Sequence, residues 1–153
     1  MSLDVYLTLP VPEAAAPRQA IFIRRDGANV EISREEWDAL HPGVEPAMAT
    51  INPGEPETTE IYSANITHNL TRMASVAGIY EPLWRPGEVG ITKAAQLIEP
   101  LARGLALLKA DPAAFEALDA PNGWGKYEHF VPFVEKYLAA CRENPDADVH
   151  VWR

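Results

Sequence analysis

The chain predicts an α+β fold, a small antiparallel or mixed sheet with helices packed mainly on one face. Three observations carry that expectation. Strand patterns come first, helix patterns follow, and one strand closes the chain. Leu3, Val5, Leu7 and Leu9 alternate with polar residues, the period of a half-buried strand. Residues 92–109 and 126–142 repeat apolar residues at helical spacing.

The elements follow in order. Residues 11–18 hold alanines and prolines and read as a loop. Residues 20–25 and 29–32 flank Asp26-Gly27, a hairpin turn signal. Ser33 and Glu36 make a capping box, predicting a helix over 34–40. Residues 41–57, with four prolines and two glycines, read as an extended surface loop. A strand over 57–62 then runs into Asn65-Ile66-Thr67-His68-Asn69-Leu70-Thr71-Arg72. Ile66, Leu70, Met73 and Ala77 recur at four, three and four, which predicts a helix from Asn65 that Gly78 ends. Residues 80–90 read as a proline-broken aromatic connection. The next helix, 92–109, buries Leu97, Ile98, Leu101, Leu105 and Leu108, and Pro100 predicts a kink or a break. Asp111-Pro112 starts another short helix. A turn at 121–125 leads to a helix over 126–142, which Pro145 terminates. Residues 148–152 form the last strand.

At 153 residues the chain suits one domain, 1–153. Thirteen Lys and Arg against 22 Asp and Glu give a net charge of −9. That balance opposes broad nucleic-acid binding and attachment to an anionic membrane. A single cysteine, Cys141, excludes an internal disulfide and fits a reducing cytoplasm. The first nine residues alternate, so no secretory signal is expected, and no window is apolar enough for a membrane span.

The most chemically dense stretch is Asn65 to Arg72. On the expected helix, Asn65, His68 and Arg72 share a polar face, with Asn69 on the flank. A cap explains Asn65 but not His68 or Asn69. A second candidate is Asn122-Gly123-Trp124-Gly125-Lys126-Tyr127-Glu128-His129, where Trp124 and Tyr127 suit stacking on a planar ligand, though a tight turn with both aromatics anchored in the core is the favoured reading. Trp84-Arg85 adds an indole beside a guanidinium, with Trp84 also readable as a core anchor. His41, His68, His129 and His150 show no metal-ligand spacing, so no metal site is expected and no cofactor is specified.

Four segments resemble a family of small hypothetical proteins of bacteria and their phages. They are Asn-Ile-Thr-His-Asn-Leu at 65–70, Leu-Trp-Arg-Pro at 83–86, Leu-Lys-Ala-Asp-Pro at 108–112 and Pro-Asn-Gly-Trp-Gly-x-Tyr-Glu at 121–128. The resemblance covers residues 58–153 and implies a biological setting without an activity.

These readings converge on a small-molecule-binding protein with a polar and aromatic pocket, for a nucleotide-like ligand. Asn65, His68, Asn69, Arg72, Trp84, Trp124 and Tyr127 would form it, with Arg72 meeting an anionic group. One alternative is a small hydrolase with His68 as general base, oriented by Asp4 or Glu128. Another is an acidic interaction module docking through the 41–57 loop. An exposed final strand leaves homo-oligomers open.

Overall fold

The computed structural model describes residues 1–11, 17–52 and 58–153. The fold is α+β, with two three-stranded antiparallel sheets and six α-helices among the described residues. Contacts divide the chain into two compact units, Met1–Leu9 with Thr58–Arg153, and Pro10–Glu57.

The larger unit is organised on β1, Ser2–Pro10, the middle strand of the order β5–β1–β6. Strand alternation sends Leu3, Val5 and Leu7 into the core, all fully buried. β6, Asp148–Trp152, pairs with β1 in antiparallel register, Asp4 opposite Trp152 and Tyr6 opposite His150. Helices α4 (Ala94–Ala110) and α6 (Tyr127–Glu143) pack on one another. Leu97, Leu101 and Leu108 from α4 share a core with Phe130, Val134 and Tyr137 from α6. Tyr137 stacks on Tyr62 of β5 with ring centroids 5.5 Å apart, tying α6 to the sheet. Gly104 lets α4 approach the chain at Ile79, because any Cβ there would collide with the Ile79 side chain.

The smaller unit is the sheet β3–β2–β4 with one helix. Strands β2 (Arg18–Arg25) and β3 (Ala28–Ile32) are joined by Asp26 and Gly27, both at positive φ, 51° and 81°. Two such residues make the hairpin turn whose twist matches the strands. Ser33 accepts from the Glu36 amide and starts α1, Arg34–Leu40. The Glu36 carboxylate does not close a reciprocal box; it faces Arg25 at 3.5 Å.

Several expectations are corrected. The loop expected over 41–57 contains a strand, β4, Met48–Ile51, paired with β2 from Arg18 to Ile21. It is too short and too exposed to show a hydrophobic period. Residues 53–57 of that loop, and 12–16 of the loop at 11–18, lie outside the described residues. The connection at 80–90 is itself structured, as α3 (Tyr80–Trp84) and a 3-10 turn at Pro86–Val89. Pro100 does not break α4, which runs unbroken for 17 residues. Pro132 likewise sits inside α6. Each proline falls in the second turn of its helix, and the core contacts of flanking Leu97, Leu101, Phe130 and Val134 offset the lost hydrogen bond, a cost of ~3 kcal/mol.

The helix expected from Asn65 begins later. Asn65, Ile66 and Thr67 end β5, Thr58–Thr67. A 3-10 turn, His68–Leu70, leads into α2, Thr71–Val76. The capping residue is Thr67, whose hydroxyl accepts from the Asn69 amide, and not Asn65. Ile66 is buried by strand alternation and Leu70, Met73 and Ala77 by helical turns. Two periods joined at a boundary imitate one.

Cys141 is fully buried on α6, and burial pushes its thiol up to about 12. The Tyr137 hydroxyl, buried without a hydrogen-bond partner among the described residues, is also raised. Above about pH 9 an unfolded thiol ionises while the folded one keeps its proton, so stability should fall as pH rises towards 12. Cys141→Ala should flatten that fall between pH 8 and 10.5 in urea unfolding. An identical pH slope in both proteins would contradict it.

Candidate functional site

The polar segment after β5 and the glycine turn before α6 meet in space and form one site. His68 is the fixed point. The Trp84 indole N–H donates to its Nδ1 at 3.1 Å, and its Nε2 lies 2.7 Å from the Ser2 carbonyl. An indole N–H only donates, so Nδ1 accepts and Nε2 carries the proton. The ring is therefore held as one neutral tautomer. Trp84 is 1% exposed and stacks on Tyr80, so its N–H depends on His68.

The next residue, Asn69, reaches the other segment. Its side-chain amide donates to the Trp124 carbonyl at 2.8 Å. The Trp124 amide in turn donates to the Asn122 side chain at 3.0 Å. Gly125 makes the approach possible. It sits at φ 104°, and a Cβ there would lie 2.9 Å from the Asn69 Cβ and 3.2 Å from Thr67 Cγ2. The turn is also bonded internally, Gly123 to Ala120 and Ala120 to Gly125. Asp119 closes it by accepting from the Tyr127 amide at 2.7 Å, which supplies a cap to α6 that Lys126 does not.

Between the two segments lies a cleft of about 820 Å³. Its walls include Ser2, Asn65, Thr67, His68, Asn69, Asn122, Trp124 and His129. Trp124 projects at its edge, 72% exposed. Among the described residues no lysine or arginine lines it. Asn65 donates to the Asp4 carboxylate at 2.6 Å, so its amide is oriented from behind. A second depression of about 590 Å³ adjoins the first and shares Asn69 and Asn122 with it. Arg72 lines this second one, with Ala117 to Pro121.

Of the seven residues singled out by sequence, four line the cleft: Asn65, His68, Asn69 and Trp124. Arg72 lies in the neighbouring depression and shares no helix face with Asn65, which is in a strand. Trp84 is buried behind His68 and offers no surface to a ligand. Tyr127 is a core anchor; its hydroxyl donates to the Leu108 carbonyl and its ring stacks on Phe115. Asn122 and His129, both inside the second candidate segment, also line the cleft, although neither was assigned a ligand-binding role from sequence. The Asn-Gly turn signal could have marked Asn122, because such an Asn bonds its own turn and is thereby oriented.

The arrangement expected of a hydrolase is not assembled. Asp4 bonds Asn65 and Glu128 faces Lys126 and His129, so neither orients His68. As a base, His68 would first have to surrender the Trp84 bond. Among the described residues no three His, Cys, Asp or Glu side chains gather to hold a metal, and no helix is long and apolar enough to cross a membrane. Comparison with known protein families, curated proteins and solved structures finds no match.

His68→Ala should cost about 1–3 kcal/mol, because it strands a buried indole N–H. Trp84→Phe removes the donor. In a double-mutant cycle the two losses should couple by about 1 kcal/mol. Strict additivity would contradict the hydrogen bond. Gly125→Ala should cost about 1–3 kcal/mol and shift the Asn69 amide resonance. An unshifted Asn69 with unchanged stability would contradict the close approach.

Proposed function

We propose that this chain binds a small ring-bearing molecule of the nucleobase or nucleoside kind in the cleft between Asn65 and Trp124. The exposed Trp124 indole at the edge of an amide-walled cleft carries this reading. An indole face stacks on a planar ring and gains most when water is displaced from both. Asn65, Asn69 and Asn122 each commit one polar group to the protein, to Asp4, to Trp124 and to the Trp124 amide. Their remaining donors and acceptors are held in place to read a hydrogen-bonding edge. The mixture of donors and acceptors, without a lysine or arginine in the walls, suits a neutral heterocycle better than a bare anion.

His68 in this reading is a positioning residue. It sets the wall from which Asn69 projects and performs no proton transfer. Binding without turnover is part of the same proposal. A setting in a bacterium or a phage, which the four sequence segments imply by resemblance, belongs to the same proposal.

Calorimetric titration against the common nucleosides tests it. Trp124→Ala should weaken binding by about tenfold or more, the order of one base stacked on an aromatic ring, while leaving the melting temperature almost unchanged. A wild-type protein that binds no nucleoside, or a Trp124→Ala variant that binds equally well, would overturn the proposal.

A further inference from the structure

The two depressions share two of their lining residues. Asn69 and Asn122 stand on the ridge between them and line both. The side towards Trp124 has polar amides and an aromatic ring but no lysine or arginine. The far side has Arg72, which makes no salt bridge and no side-chain hydrogen bond among the described residues. Many other arginines are paired: Arg18 with Glu31, Arg34 with Asp38 and Glu45, Arg85 with Glu88, Arg103 with Glu99. In a chain carrying nine excess negative charges, an arginine left without a salt bridge among the described residues, beside a polar ridge, has its fork of donors free.

We propose that Arg72 is the anion-recognising half of the site, so that the ligand is a ring joined to an anionic group, of the nucleoside monophosphate class. The inference rests on the reading of the first cleft as a ring site. The ring lies against Trp124, the connecting sugar crosses the Asn69–Asn122 ridge, and the phosphate meets Arg72. Hydroxyl groups on the connector suit the ridge, because both asparagines keep hydrogen-bonding capacity beyond the bonds that fix them. Asp119 sets the limit on charge. Its carboxylate also lines the Arg72 depression, although it accepts from the Tyr127 amide at the start of α6. One arginine beside one carboxylate accommodates a single phosphate and repels a chain of them.

The test measures each nucleoside and its 5′-monophosphate against wild type and Arg72→Gln at low salt. In wild type the monophosphate should bind about fivefold tighter than its nucleoside, the scale of one solvent-exposed charge pair. In Arg72→Gln that ratio should fall to about one while nucleoside affinity stays the same. The triphosphate should bind no tighter than the monophosphate. A wild-type ratio of one, or a ratio that survives Arg72→Gln, would overturn the assignment of Arg72 and leave the ring site standing. Absence of binding by every nucleoside and nucleotide would overturn both.

Discussion

The site depends on one imidazole held from both sides. His68 joins the start of β1, through the Ser2 carbonyl, to α3, through the Trp84 indole, and it does so from the turn that ends β5. Trp84 is buried against Tyr80 and Leu83, and an indole N–H left unpaired there would cost about 1–3 kcal/mol. Because the ring is locked, the backbone at 68–69 is locked. Asn69 then has a defined reach to Trp124, and the glycine turn is drawn in until Gly125 touches Thr67 and Asn69. Replacing that glycine or that histidine would disturb the same cleft from opposite walls.

A bound, oriented histidine also fits the proposed binding site better than a catalytic one. A general base needs a free lone pair within reach of a proton. The one lone pair of the His68 ring is taken by the indole, and its N–H by a carbonyl. What the cleft offers instead is fixed amides, an open aromatic face and, beyond a ridge, a lone guanidinium. Those groups fit the proposed recognition role. The chain's net charge of −9 makes the position of that guanidinium informative, since anion binding here needs a local cation to work against the surrounding field.

Much of the fold was legible because local rules and tertiary packing agree. β1 alternates in sequence and in burial. The Asp26-Gly27 hairpin, the Ser33 cap, the Asp111 cap and the wide apolar arc of α6 all form as their residues dictate. The failures occur where two rules meet at one residue. Asn65 to Thr67 fit a helical spacing, yet they belong to β5, which lies beside β1 in the sheet. The two interior prolines are tolerated because α4 and α6 bury neighbours on both sides of them. The site was legible in its chemistry and not in its arrangement. Asn65, His68, Asn69 and Trp124 were identifiable as residues without an ordinary structural duty. Two of them, His68 and Asn69, turn out to have one across 16 and 55 residues of sequence, a distance at which spacing carries no information. Trp84 and Tyr127 were aromatic for the sake of the core.

The segments at 65–70, 83–86, 108–112 and 121–128 interlock here. His68 bonds Trp84, Asn69 bonds Trp124, Tyr127 bonds Leu108, and Asp111 caps the helix that follows. They form a single hydrogen-bonded frame around the cleft. The most direct measurement of that frame is the nitrogen NMR spectrum of the His68 ring at neutral pH. A protonated Nε2 and a bare, hydrogen-bonded Nδ1 are expected, in slow exchange with solvent. An imidazolium, or a ring protonated at Nδ1, would mean that Trp84 does not donate to it, and the cleft would have to be held by something else.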